Sequence, residues 1–279
     1  MQFTKMHGLG NDYVVLDGRG MALDKKQRSD LAKRLCDRHF GIGADGLLIL
    51  KVGKQAQFEM EMYNPDGSRG ESCGNGLRCA GKYLWDKEWT REDSFQVETM
   101  GVVKSLERLK CMRTVYANES FWRVGMGTAK MGESRKLKLG DGCGKTGMDD
   151  VMAYRVSMGN PHAVIFPEAG EPGEWRVGTL GPAVENAKEF PNRTNVEFVR
   201  VRSRNEIVMR VWERGVGETL ACGTGACAAA AICMQKDLTD EEITVKLLGG
   251  EMIVSKDGLT GGFFLAGPAV TVFEGEIRE

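Results

Sequence analysis

Cys73-Gly74-Asn75-Gly76-Leu77-Arg78-Cys79 returns 149 residues later as Cys222-Gly223-Thr224-Gly225-Ala226, and helix-forming residues follow in both places. The same displacement carries Gly10-Asn11 onto Gly159-Asn160 and Tyr63-Asn64 onto Trp212-Glu213. It also carries Gly46, Leu47 and Ile49 onto Asn195, Val196 and Phe198, the apolar positions of a matching strand. Landmarks that keep one offset without a gap identify an internal repeat. Each half therefore contains a strand leading to a Cys-Gly-x-Gly turn and a helix. Related halves of this kind pack about a pseudo-twofold axis, and small-molecule pockets concentrate where domains meet.

Around these landmarks the pattern is mixed α and β. Arg28 to Phe40 places Leu31, Leu35 and Cys36 at helical spacing, with Asp24 or Ser29 as the cap and Gly41 as the stop. Leu47 to Lys51 reads as a buried strand, and Phe58, Met60 and Met62 alternate with Glu59 and Glu61 as a half-buried one. Helices are expected after Gly74 and over Thr224 to Gln235, and antiparallel strands from Phe95 to Val124. Residues 125 to 150 hold seven Gly and read as a surface excursion. Further strands are expected at Tyr154 to Met158, Ala163 to Phe166, Val196 to Val201, Ile207 to Trp212, Ile243 to Leu248, Met252 to Ser255 and Ala269 to Phe273.

The composition sets limits. A chain of 279 residues with 42% hydrophobic residues buries an ample core. Lys and Arg number 38 against 39 Asp and Glu, which indicates neither a nucleic-acid surface nor an acidic tail. Eight Cys are scattered among three His with no C-x-x-C pair, so no metal site is expected. The start of the chain has no apolar run behind a basic segment, and no stretch of eighteen apolar residues occurs. A cytoplasmic protein with reduced thiols is expected, most of them small buried hydrophobes.

Two cysteines stand apart by position. In Cys-Gly-x-Gly before a helix, the glycines allow close approach of the backbone to a ligand, and the helix start offers unpaired N–H donors and a positive partial charge. An anion can be held there, and a neighbouring thiol is favoured as thiolate. Symmetry-related thiols do one job from opposite sides of one substrate atom: one removes a proton and the other returns one, inverting the stereocentre. The carbon must bear an acidifying group, and a carboxylate held at the helix starts fits.

These segments resemble the diaminopimelate epimerase family. The resemblance rests on Met6-His7-Gly8-Leu9-Gly10-Asn11-Asp12-Tyr13, Tyr63-Asn64-Pro65-Asp66-Gly67-Ser68, Cys73 to Cys79, Ser157-Met158-Gly159-Asn160-Pro161-His162, Arg193-Thr194-Asn195-Val196, Glu213 to Thr219 and Ala221 to Ala226, in family order over essentially the whole chain. It implies PLP-independent, metal-independent interconversion of LL- and meso-diaminopimelate in lysine and peptidoglycan precursor biosynthesis, with no cofactor and a homodimeric assembly. It implies Cys73 and Cys222 as the catalytic pair, and Gly74, Asn75, Gly223 and Thr224 as the helix starts holding the reacting carboxylate. Asn11, Asn64, Asn160, Asn195, Glu213 and Arg214 match substrate-recognising positions, and His162 and Glu213 match residues that tune the thiols. The fold implied is α/β of the α+β type: two pseudo-symmetric homologous domains, each a curved, mostly antiparallel sheet or barrel around a central helix, with the active site in the cleft between them. The expected domains are residues 1–122, completed by 268–279, and 123–267.

Gly46 stands where some members carry a substrate-contacting Gln, and Phe273 where some carry a Tyr at the dimer contact. The other six cysteines, Cys79 and Cys227 among them, read as packing residues. The rival readings are a racemase of the same architecture acting on proline, hydroxyproline or histidine, and a ligand-binding protein without activity. Retention of Glu213-Arg214 and the asparagine set argues against the first, and two intact Cys-Gly-x-Gly turns against the second.

Overall fold

The computed structural model describes residues 1–70, 73–110, 119–139, 150–168 and 170–278. The chain forms two compact units, one of residues 1–125 with 266–279 and one of residues 126–265. The first holds β1 (Gln2–Gly8), β2 (Asn11–Asp17), α1 (Lys25–Cys36), β3 (Gly46–Val52), β4 (Phe58–Tyr63), α2 (Gly74–Asp86), β5 (Ser94–Thr99), β6 (Val102–Leu109) and the start of β7 (Glu119–Thr128). The second holds β8 (Lys130–Met131), β9 (Arg135–Lys138), β10 (Asp150–Ser157), β11 (Pro161–Ile165), α3 (Val177–Glu185), β12 (Asn195–Ser203), β13 (Glu206–Glu213), β14 (Gly217–Thr219), α4 (Gly223–Gln235), β15 (Glu242–Leu247) and β16 (Gly250–Lys256). The last strand, β17 (Gly262–Glu276), begins in the second unit and pairs antiparallel with β1 over its later residues.

The two units repeat one strand scheme. β2 runs parallel to β3 with Tyr13 opposite Gly46, and β11 runs parallel to β12 with His162 opposite Asn195. β3 then pairs antiparallel with β4, Leu47 opposite Tyr63, as β12 does with β13, Val196 opposite Trp212. Each pairing reproduces the other at the offset seen in the sequence. In the first unit the strands surround α2, which touches β1, β2, β3, β4 and β6; in the second α4 touches β10, β11, β12, β13, β15 and β16.

A second helix covers the outer face of each sheet. On α1, Leu31, Ala32, Leu35 and Cys36 pack on Val14, Leu16, Leu47 and Ile49. On α3, Val177, Leu180 and Val184 pack on Ala163, Ile165, Val196 and Phe198. With helices on both faces, β3 buries every residue from Gly46 to Leu50, which explains an unbroken apolar run where alternation would mark a half-exposed strand.

Several sequence expectations need correction. Helix α1 begins earlier, with Asp24 and Gln27 closing a capping box, and ends at Cys36 because the Asp37 carboxylate accepts from the His39 and Phe40 amides and turns the chain. Glu61 breaks the alternation of β4: it is buried, its carboxylate held by Arg28, Lys51, Arg69 and the Tyr63 hydroxyl. Residues read as a surface excursion form the end of β7 and strands β8 and β9, which pair with β10. Residues 140–149 lie outside the described residues, as do Cys111 and Cys143. The sequence reading passed over α3, whose Gly178, Gly181 and Pro182 mask its helical spacing. Its buried Leu180 and Val184 nevertheless lie at the repeat offset from Leu31 and Leu35.

Gly181 answers to Ala32 of α1, but the neighbours differ. A Cβ at Gly181 would stand 2.5 Å from the Trp212 ring, whose Nε1 is tied to Glu185 at 2.7 Å. Gly181→Ala is expected to destabilise the protein by about 1–3 kcal/mol, read from the midpoint of denaturant unfolding. An unchanged midpoint would show that the ring yields freely.

Candidate active site

Cys73 and Cys222 take the same place in their units. Each is the N-cap of a thirteen-residue helix, with φ and ψ of −113° and 122° at Cys73 and −123° and 112° at Cys222. Each carbonyl accepts the first helical bond at 2.9 Å, from Leu77 and from Ala226. The amides of Gly74 and Asn75, and of Gly223 and Thr224, open the two helices, where N–H groups have no partner within the helix. Both helices are almost wholly buried, so these donors lie in a low-dielectric setting where they act strongly on charge.

In the first unit Cys73 is half-buried. The Tyr13 hydroxyl lies 3.0 Å from its Sγ and also donates to Asn11 Oδ1. Asn11 Oδ1 receives Asn75 Nδ2 at 3.1 Å, and Asn11 Nδ2 donates to Asp45 at 3.1 Å. Asn75 Oδ1 in turn accepts from the fully buried Arg78, whose Nε reaches the Pro268 carbonyl. Asp12 anchors the loop: burial pushes its carboxyl up, but bonds from Arg38, Lys5 and Asp45 outweigh that and hold it at about 2. Asn64 is apart from this group, its Nδ2 donating to Ser68 Oγ at 2.9 Å within its own turn. Burial, then the charge of Cys73, push the Tyr13 phenol well above its ordinary range, so it is a hydroxyl at any working pH.

In the second unit Cys222 is 5% exposed. A chain of contacts leads to it. Glu197 Oε1 meets His162 Nδ1 at 2.7 Å, both side chains fully buried. His162 Nε2 meets Asn160 Oδ1 at 3.0 Å, Asn160 Nδ2 donates to Thr224 Oγ1 at 3.3 Å, and Thr224 Oγ1 lies 3.6 Å from Cys222 Sγ. Glu213 accepts from Thr219 Oγ1 at 2.6 Å, and its charge acts on the Cys222 thiol. Burial raises the Glu213 carboxyl, with the Thr219 bond acting against it. Burial, then the charges of Glu213 and Glu197, push the Cys222 thiol well up, so it stays protonated at neutral pH.

Asn195 spends its amide on the backbone, donating to the Pro161 carbonyl at 2.9 Å and accepting from the Arg214 amide at 2.9 Å. It therefore fixes the Glu213-Arg214 turn, which Glu185 also holds through the Gly215 amide. Gly46 packs beside the Tyr13 ring, and Phe273 lies edge-on to Phe3 at 5.9 Å. Four remaining cysteines, Cys36, Cys79, Cys227 and Cys233, are buried. Burial pushes Cys36 to about 11 and Cys79 and Cys233 to about 12, the state of inert packing thiols.

Sequence reasoning missed Tyr13 and Glu197. Carrying His162 back by the offset finds Tyr13, and the strand registers place the two side chains alike. Glu197 falls on Leu48, so the repeat alone gives no sign of a carboxylate there.

The fold is that of several solved structures of low sequence identity. A hydroxyproline epimerase from Agrobacterium vitis superposes with a TM-score of 0.74 at 14% identity, covering 99% of this chain and 90% of that one. A phenazine biosynthesis protein of the PhzF family from Bacillus anthracis gives 0.73 at 17% identity, covering 100% and 99%. These likenesses show a shared fold. The family model for diaminopimelate epimerase matches residues 3–131 and 154–272. Relatives named diaminopimelate epimerase are 40% identical in Methanococcus maripaludis and 41% identical in Moorella thermoacetica, each over 99% of both chains. The chain belongs to the diaminopimelate epimerase family and is an isomerase acting on a small molecule. Among the described residues no helix is long and apolar enough to cross a membrane.

Proposed function

We propose that this enzyme epimerises LL-diaminopimelate to the meso form by a two-thiol acid–base reaction that needs neither PLP nor metal. We read it as a homodimeric cytoplasmic enzyme of lysine and peptidoglycan precursor synthesis. The observation that carries the reaction is the identical placement of Cys73 and Cys222 as N-caps of matched helices. One thiolate takes the α-proton and becomes a thiol. The electron pair left on carbon is drawn into the α-carboxylate, where the amides of Gly74, Asn75, Gly223 and Thr224 stabilise it. The other thiol gives its proton to the opposite face and becomes the thiolate. The reverse reaction exchanges the roles.

The surroundings suit this division. Cys222, pushed up by burial and by Glu213 and Glu197, begins as the proton donor. Cys73, with a hydroxyl at 3.0 Å that can donate to its sulfur, begins as the base. His162 and Glu213 tune Cys222, the first through Asn160 and Thr224 and the second directly. Asn11, Asn160, Glu213 and Arg214 recognise the substrate's amino and carboxylate groups, with a guanidinium suited to the distal carboxylate, while Asn64 and Asn195 serve recognition by fixing the turns their amides hold.

Reduced protein incubated with LL-diaminopimelate in deuterated water is expected to yield the meso isomer with deuterium at the inverted α-carbon. Proton exchange with proline or another amino acid, and none with diaminopimelate, would overturn the substrate assignment and keep the chemistry.

A further inference from the structure

The two half-sites descend from one design but are chemically unlike. Tyr13 and His162 occupy the same register on equivalent strands, and each bonds the side-chain oxygen of the equivalent loop asparagine, Asn11 or Asn160. In the second unit the ring stops there, and Thr224 links Asn160 to the thiol. In the first unit the phenol reaches the sulfur itself at 3.0 Å. Leu48 stands where the second unit has Glu197, and Asn64 where it has Glu213. Among the described residues the hydroxyl, at 3.0 Å, is the nearer of the two side-chain oxygens bonded to Cys73 Sγ, Asn11 Oδ1 lying 3.8 Å away.

We propose that the Tyr13 hydroxyl is a positioning group for Cys73 that serves both of its protonation states, an inference that rests on Cys73 being an acid–base residue. A hydroxyl has one proton to give and two lone pairs to receive. When Cys73 is a thiol, its S–H points to the Tyr13 oxygen while the phenol proton lies on Asn11 Oδ1. When Cys73 is a thiolate, the phenol proton turns to the sulfur. Asn11 Oδ1 is not stranded by this turn, because Asn75 Nδ2 continues to donate to it at 3.1 Å. Tyr13 is fully buried, so the hydroxyl end of both bonds is sheltered from water. The phenol gives up no proton: burial keeps it from ionising. The hydroxyl therefore favours the thiolate through a charge-assisted bond and holds the sulfur in one place through the proton transfer.

Tyr13→Phe removes one oxygen and leaves the ring. It is expected to lower kcat about tenfold with KM little changed, a tenfold change being what one bond to a charged group supplies. Alkylation of Cys73 by iodoacetamide, followed by peptide mapping, is expected to slow about tenfold at pH 7 and to recover at higher pH. Replacement of Tyr13 by 3-fluorotyrosine, a stronger donor of the same shape, should move the alkylation profile to lower pH. An alkylation profile unmoved by both replacements would overturn the proposal, whatever happens to stability. Cys73→Ala separates the two readings: wild-type turnover in that variant would remove the two-thiol reaction, whereas the alkylation profile reports on the Tyr13 bond independently of turnover.

Discussion

Cys222→Ser is expected to lower turnover of LL-diaminopimelate by on the order of 100- to 10,000-fold, the range a positioned acid or base contributes. That corresponds to roughly 3–5 kcal/mol of barrier. The fold should not suffer. Cys222 caps α4 through its backbone, with no side-chain capping bond, and serine is itself a preferred N-cap. What changes is acidity: a hydroxyl is a far weaker acid than a thiol near 8.5 and cannot give its proton to a carbanion at useful speed. Burial and the carboxylates of Glu213 and Glu197 already push Cys222 upward, so the neutral thiol is the form that waits for substrate. A group shifted upward stays protonated as pH rises, so the alkaline limb of kcat/KM is expected above the ordinary thiol range. Cys227→Ser is the control, since Cys227 is fully buried among α4 alanines. It should cost about 1–3 kcal/mol of stability and spare kcat. Both variants are read by chiral chromatography of the product and by thermal melting. Wild-type turnover in Cys222→Ser would end the two-thiol mechanism.

Much of the architecture was legible because the repeat carries its own check. The displacement that joins Cys73 to Cys222 also joins Leu47 to Val196 and Tyr63 to Trp212, and these fall at matching registers in β3–β4 and β12–β13. Even the helix ends agree: Glu88 and Asp237 both take positive φ, 59° and 52°, just past α2 and α4. Where local chemistry overrides periodicity, the reading failed. Asp37 ends α1 by binding two amides of its own turn, and Pro182 with two glycines hides α3 inside a segment of low helix propensity. Glu61 shows the same limit, since only the tertiary cage of Arg28, Lys51 and Arg69 makes a buried carboxylate tolerable in β4.

The candidate site was legible in residue type more than in partnership. Cys73, Asn11 and Asn75 form one hydrogen-bonded group, and Cys222, Thr224, Asn160 and His162 another. The sequence offers no means of knowing that Asn195 spends both ends of its amide on backbone, or that Asn64 bonds inside its own turn. Tyr13 and Glu197 escaped because each looks like an ordinary strand residue. Divergence between the halves is where a repeat stops predicting: Tyr13 replaces an imidazole and Leu48 replaces a carboxylate.

That divergence predicts opposite outcomes for equivalent glycines, Gly76 and Gly225, the third residues of α2 and α4. A Cβ on Gly225 would stand 2.8 Å from Glu197 Oε1 and 3.3 Å from Cys222 Sγ. Glu197 cannot swing aside, being fully buried and bonded to His162 at 2.7 Å. The methyl must therefore displace either the His162–Glu197 pair or the sulfur. Overpacking of this kind costs about 1–3 kcal/mol, and moving a reacting atom by about 1 Å costs about 100-fold in rate. Gly225→Ala is expected to lose about 100-fold in kcat. At Gly76 the same methyl meets only Leu48 side-chain carbons at 3.5 and 3.7 Å and the Tyr13 ring at 3.7 Å, which is ordinary contact. Replacing a helical glycine by alanine there gains about 0.5–1 kcal/mol, so Gly76→Ala should melt higher and retain its activity. Measuring kcat and melting temperature for the two variants side by side decides the matter. Equal losses would mean that the helix starts, and not the carboxylate behind the second one, set the tolerance; a harmless Gly225→Ala would show that the His162–Glu197 pair does not constrain Cys222.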